Sequence, residues 1–218
     1  ALPARSEMCI RDRRLSAFDA ILDAETVIGA REWHVLLYHA LFYICDDELA
    51  MRTNASAMLQ RFVREAHDPE CVSLATRVLL PGMRRRLHSR SEAVRKELFQ
   101  LLGITVTEMS ELVPPLAELN VLRAGGDDEA SVFTNLYHIQ THRRVRAMHR
   151  LAQAAESGAL RSKTLSDLFL PLTWFFLLPN QSGGIDMNMA NEALACIRRM
   201  AAQLQWNHYY HLSLIHIS

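Results

Sequence analysis

The sequence predicts an all-α fold, an α-solenoid of stacked antiparallel helix pairs. Three observations lead there. Apolar residues recur at helical spacing: Met51, Ala55, Leu59 and Phe62 follow at steps of four, four and three, which puts them on one helix face. Glycine and proline are scarce, 8 and 7 among 218 residues, too few for a fold built on many tight turns. Finally, Asp47-Glu48-Leu49-Ala50-Met51-Arg52 returns 43 residues later as Arg90-Ser91-Glu92-Ala93-Val94-Arg95. Ala55 then matches Leu98, and Leu59 matches Leu102. A repeat of ~40–47 residues is the period of HEAT-like helix pairs, which bury their faces by stacking. Val145-Arg146 and Ala190–Met200 read as the starts of later, degenerate copies. An ordinary helical bundle is the alternative.

The two ends are set apart. Residues 8–12 read Met-Cys-Ile-Arg-Asp and residues 213–217 read Ser-Leu-Ile-His-Ile. One short DNA element, read on opposite strands, can encode both. Both termini resemble translated sequencing-adapter sequence, the transposon mosaic end. Residues 1–12 and 212–218 are therefore treated as an adapter scar, which leaves 13–211 as the HEAT-like segment, an internal piece.

The periodicity places helices near 15–28, 32–45, 47–66, 70–87, 91–108, 110–119, 131–156, 163–178 and 187–205. Asp68-Pro69-Glu70 supplies an N-cap followed by proline at the first helical position. Ser89 with Glu92 forms a capping-box pattern. Val94, Leu98 and Leu102 repeat every four residues, and Leu101 widens the stripe. The run Leu168–Leu178 is the most apolar, but its 11 residues fall well short of the ~20 a membrane-spanning helix needs. It reads as a buried helix kinked at Pro171. Two loops stand out: Asn120–Ala130, with Gly125-Gly126 and the acidic run Asp127-Asp128-Glu129, and Pro179–Gly184.

Composition narrows the function classes. Lys+Arg and Asp+Glu are both 24, for a formal net charge of zero, which removes the argument from a strongly basic domain. Aromatic residues make up 7%, too few for repeated base-stacking platforms. The cysteines at 9, 45, 71 and 196 show no C-x-x-C spacing, against a zinc ribbon or a disulfide framework. Cys45, Cys71 and Cys196 fall in apolar helical stretches and read as small core residues. No phosphate-binding, dinucleotide or nucleophile-elbow glycine motif is present. The sequon Asn54-Ala55-Ser56 lies mid-helix and is discounted.

The strongest local feature is the stretch 134–152, TNLYHIQTHRRVRAMHRLA. On one helix at ~100° per residue, Phe133, Leu136, Tyr137, Met148 and Leu151 share a face. Arg143, Arg146 and Arg150 group on another, flanked by His142 and His149. Arginine forks match phosphate oxygens, so these five are the candidate RNA or partner contacts. A solvated or repeat-pairing basic face is the alternative. Arg144 falls inside the apolar face on the same wheel. A buried guanidinium needs a partner, and Asp127, Asp128, Glu129 or Glu118 is expected to supply it, unless a break near Gln140 turns Arg144 outward. His138 and His142 lie one turn apart, but no carboxylate or cysteine completes a ligand set, so no metal is expected.

At this stretch the sequence resembles a known family. FTNLYHIQTHRRVRAMHRLA, preceded by DDEAS, is similar to the down-regulated-in-metastasis domain of the U-three small nucleolar RNA-associated protein twenty family. LPGMRR running into SRSEAVRKELFQLLG, the stretch DDELAMRTNASAML, and Trp206–Tyr210 look similar to the same family. The resemblance spans about 32–210, and residues 13–31 show no clear match. It implies a non-catalytic, nucleolar HEAT-repeat scaffold supporting small-subunit processome assembly and precursor ribosomal RNA processing. It implies processome proteins, precursor ribosomal RNA and the U3 small nucleolar RNA particle as partners. No cofactor, membrane or small-molecule substrate is expected. The motif residues His138, Ile139, Gln140, His142, Arg143 and Arg144 carry over as a structural or contact element, with no catalytic role. A generic HEAT-repeat adaptor that binds only proteins is the alternative.

Overall fold

A computed structural model describes residues 3–123, 125, 130–179 and 183–209. The described residues contain helices and connecting turns, without a strand. The chain divides into two compact units, Ala1–Val113 and Pro114–Ser218.

The first unit begins with α1 (Pro3–Asp23), α2 (Ala30–Tyr43) and α3 (Leu49–Glu65). The next outer helix runs in three pieces: α4 (Pro69–Leu74), a π turn (Ala75–Leu79) and α5 (Leu80–Arg86). α6 (Glu92–Met109) closes the unit. α2 packs on α3, and α3 packs on both α1 and α6. Trp33, Leu37 and Leu41 of α2, Ile44 just past its end, and Leu59 and Phe62 of α3 are all buried. Trp33 and Phe62 meet edge to face at 5.2 Å, a preferred aromatic geometry. The stripes Met51, Ala55, Leu59, Phe62 and Val94, Leu98, Leu101, Leu102 are buried, as their spacing predicts.

The repeat appears in the backbone as well as in the letters. Arg52, fourth in α3, donates from Nη1 to the carbonyls of Asp46 and Asp47, both at 2.8 Å. Arg95, fourth in α6, donates from Nη1 to the carbonyls of Ser89 and Arg90 at 2.7 and 2.8 Å. Each arginine folds the entering loop back over the first helical turn. The cap of α6 differs from expectation. Ser91 is the N-cap, accepting from the Val94 N–H at 3.5 Å, and Ser89 Oγ accepts from the Ser91 N–H at 3.3 Å. Asp68 caps α4 as predicted, with Oδ1 accepting from the Glu70 and Cys71 N–H groups at 3.0 Å.

The second unit holds α7 (Pro114–Ala117) with a 3-10 extension (Glu118–Leu122), α8 (Val132–Asn135) and α9 (Thr141–Glu156). α10 (Ser162–Thr164), a π turn (Leu165–Phe169), α11 (Leu170–Trp174) and a 3-10 turn (Phe175–Leu177) form one composite helix. α12 (Met187–Ala201) follows and lies against α9. Polar ties here join residues 43 apart in sequence: Arg161 to Glu118, Arg199 to Glu156, His149 to Glu192, and the Gln205 N–H to Ser162 Oγ. That spacing equals the one between Arg52 and Arg95. It is the local stacking of a helical solenoid, with each helix laid parallel to its counterpart one repeat away.

Both π turns share a cause. Pro81 and Pro171 lack an N–H and would press on the carbonyl four residues back. In each helix the residue before proline bonds one residue further back, Leu80 N–H to Ala75 O and Leu170 N–H to Leu165 O. The kink expected at Pro171 is this wide turn. The same device at Pro81 interrupts a helix predicted as continuous over 70–87. Among the described residues no helix is long and apolar enough to cross a membrane.

Three further expectations change. The helix predicted over 131–156 breaks between Asn135 and Thr141. Helix α1 begins at Pro3, upstream of the predicted 15–28. Cys45 is exposed at the end of α2, whereas Cys71 and Cys196 are buried. Burial pushes both buried thiols up to about 12, Cys71 helped by the neighbouring Asp68, so they stay protonated and inert near neutrality. Asn180, Gln181, Ser182, Tyr210 and the set-apart residues 212–218 lie outside the described residues.

Candidate interaction surface

The predicted basic stretch is reshaped by the break before α9. Gly and Pro are absent from 131–141, so the interruption rests on side-chain bonds that replace helical ones. Asn135 Nδ2 donates to the Ser131 carbonyl at 2.7 Å. The Gln140 N–H donates to His138 Nδ1 at 3.1 Å. Arg144 Nε donates to the His138 carbonyl. Arg144 is fourth in α9, so it takes the place held by Arg52 and Arg95. The third copy therefore runs through Arg144 and not through Val145-Arg146.

This corrects the pairing expected for Arg144. Glu118 belongs to Arg161: Oε1 accepts from Nε at 3.0 Å and Nη2 at 2.7 Å, and Oε2 accepts from the backbone N–H at 2.8 Å. Thr164 Oγ1 donates to the same Oε1 at 2.6 Å. Burial works to raise the Glu118 carboxyl, but these bonds and the Arg161 charge outweigh it and hold it below its ordinary value. Asp127, Asp128 and Glu129 lie outside the described residues. Arg144 is half-buried. The break that turns it, an alternative seen in the sequence, is present.

The five candidate contact residues fall into two groups. His142 and Arg146 are exposed one turn apart on α9. His149 Nε2 sits 3.1 Å from Glu192 Oε2 of α12. Arg150 is half-buried and donates to the Ala130 carbonyl. Arg143 is also half-buried. The basic face is thus partly a tie between repeats and partly open to solvent. Its apolar counterpart survives the break: Phe133, Leu136, Tyr137, Met148 and Leu151 are all buried. Tyr137 stacks on Phe176 at 5.5 Å. Ile139, at the crest of the turn, is 88% exposed. His138 precedes α9 and uses Nδ1 for the Gln140 N–H, so His138 and His142 do not act as a ligand pair on one helix. Among the described residues no group of three or more His, Cys, Asp or Glu is placed to hold a metal ion.

Helix pairs with several ties at a 43-residue step, and charged side chains bonding repeat to repeat, define a helical-repeat protein. The comparisons specify which. The family model described as "U3 small nucleolar RNA-associated protein 20, N-terminal" matches residues 11–91. The chain is 31% identical over 205 residues to the Schizosaccharomyces pombe U3 small nucleolar RNA-associated protein 20, covering 91% of this chain and 8% of that protein. It is 30% identical over 215 residues to the Saccharomyces cerevisiae protein of the same name, covering 94% of this chain and 8% of that protein. The chain belongs to the U3 small nucleolar RNA-associated protein 20 family, and it spans about 8% of the length of these relatives. The family match begins at residue 11 and so takes in much of α1, where sequence reading alone finds no resemblance.

Proposed function

We propose that the chain is one stretch of a non-catalytic, nucleolar scaffold in ribosome biogenesis. It supports small-subunit processome assembly and precursor ribosomal RNA processing through protein and RNA contacts along stacked helices. The observation that carries this reading is the similarity over more than nine-tenths of the chain to two relatives named for association with U3 small nucleolar RNA. The fold fits the role. Ties that recur at a 43-residue spacing lay α12 along α9, so exposed side chains of these neighbouring repeats lie side by side. Processome proteins, precursor ribosomal RNA and the U3 particle are the partners this reading names. On α9 the contact falls first to His142 and Arg146, whose side chains face solvent. Arg150 helps hold the helix in place through the Ala130 carbonyl, His149 bridges to α12, and Arg143 is half-buried.

The test is crosslinking of the full-length protein in cells, followed by sequencing of the attached RNA. Enrichment of precursor small-subunit ribosomal RNA is the expected result. Co-purification with assembly factors without any such enrichment would replace the reading with a protein-only adaptor. Replacing His142 and Arg146 with alanine is expected to weaken crosslinks at α9 and to leave the fold intact, because both side chains are exposed.

A further inference from the structure

We propose that the outward face of α2 and α5 in the first unit is a second surface for single-stranded RNA, separate from α9. The proposal rests on the reading above that the protein works on precursor RNA. Its starting point is an aromatic stripe. Val35, Tyr38 and Phe42 are 56%, 58% and 66% exposed. At ~100° per residue they lie opposite Trp33, Leu37 and Ile44, the buried side of the same helix.

Both flanks of α2 are already occupied, so the stripe is not a stacking face. On one flank Leu41 lies against Gly82 of α5, so closely that a Cβ there would fall 2.5 Å from Leu41 Cδ1. On the other flank Tyr43 meets Phe18 of α1 edge to face at 5.6 Å and carries the Arg14 guanidinium over its ring. The stripe points away from both neighbours.

The charge beside it is one-sided. Residues 30–43 and 69–90 hold six arginines and two carboxylates, Glu32 and Glu70. α3 and α6 of the same unit, 49–65 and 92–109, hold five cations and four carboxylates. Positive charge is thus denser along α2 and 69–90 than along α3 and α6. Arg77 and Arg85 are exposed on the helix beside α2. His34 meets Tyr38 edge to face at 5.4 Å and steadies the ring.

Exposed rings flanked by arginines one helix away suit a single strand. Unstacked bases lie on the rings while the cations follow the phosphates. Neighbouring helices sit ~8–10 Å apart, a span that one or two nucleotides bridge. An acidic protein segment is the competing occupant, and the experiment separates the two.

The test uses the full-length protein in cells, with ultraviolet crosslinking and mass spectrometry of nucleotide-bearing peptides. Nucleotide adducts are expected on the peptide carrying Tyr38 and Phe42. The paired variants Tyr38→Ala with Phe42→Ala, and Arg77→Glu with Arg85→Glu, are each expected to lower those adducts about fivefold, as loss of stacking or of two phosphate contacts does. Adducts at α9 and association with precursor particles should persist. No adducts on this peptide, unchanged adducts in both variants, or photoreactive (diazirine) protein crosslinks from this face to an acidic segment in place of RNA would overturn this proposal alone. Absence of precursor RNA from the wild-type protein would overturn the reading of the preceding subsection, and this one with it.

Discussion

Arg161 encloses the carboxylate of Glu118 from two directions, its backbone N–H on Oε2 and its guanidinium on Oε1. The two residues stand 43 apart and lock the start of α10 onto the preceding outer helix. The Glu118 side chain is 12% exposed and that of Arg161 is 65% exposed, so the value of the pair lies in the desolvated hydrogen bonds more than in the screened charge. Glu118→Ala leaves the Thr164 hydroxyl and the Arg161 N–H without their acceptor. A loss of ~1–3 kcal/mol in unfolding free energy is expected, read by urea denaturation. Arg161→Lys should lose less than Glu118→Ala, because the backbone N–H and Thr164 bonds remain and only the guanidinium fork is replaced.

The same carboxylate makes stability depend on acid. Its folded value lies below its ordinary one, so the folded state binds fewer protons there than the unfolded chain. The contribution is full above the unfolded value of ~4.3 and is lost as pH falls through the folded value. Glu156 behaves likewise: the hydrogen bond from Arg199 chiefly holds it down. Midpoints of thermal unfolding between pH 6 and pH 3 should therefore fall less steeply in Glu118→Gln than in the parent. Parallel curves would show that the pair carries no pH-linked stability.

Arg95 is 6% exposed and serves two carbonyls. Arg95→Ala should cost ~2–3 kcal/mol, as for a buried bond to a charged group. Arg52→Ala, at the matching but half-buried position, should cost less. Lys96→Ala, beside Arg95 and exposed, should stay within ~0.5 kcal/mol. Equal effects at 95 and 96 would mean that the bonds to Ser89 and Arg90 contribute nothing.

Gly82 faces the side chain of Leu41, which is itself buried and so has little room to move aside. Gly82→Ala should destabilise by ~1–3 kcal/mol through overpacking. Combining it with Leu41→Ala should give less than the sum of the two single losses, because the smaller side chain at 41 makes room for the new methyl. Strict additivity would place the strain elsewhere.

Much of the fold is legible in the sequence. The stripes through Met51 and Val94 report their burial directly, because a face buried against a neighbour must repeat with the helix. The Arg52 and Arg95 pair marks the repeat, because one loop geometry needs one donor. The break ahead of α9 is legible only as an alternative, through the awkward placing of Arg144 on a continuous helix. Leu136 and Tyr137 continue the apolar pattern, and no glycine or proline marks the turn. Its stabilising bonds, from Asn135 to Ser131 and from Arg144 to His138, are visible only once the chain has turned. The contacts on α9 divided for a similar reason. Helical spacing groups His149 with Arg146, but not the Glu192 that arrives from α12.

The wide turns ahead of Pro81 and Pro171 have a mechanical consequence. A helix resists stretching through its ladder of bonds, and at each proline one rung is missing while the rung before it is longer. Under tension or bending, strain gathers at those two places first. Each outer helix that contains one behaves as two stiff rods joined by a compliant collar, while α3, α6, α9 and α12 remain single rods. Such repeats flex about their outer layer and hold their length along the inner one, as a sprung hinge does about its pin.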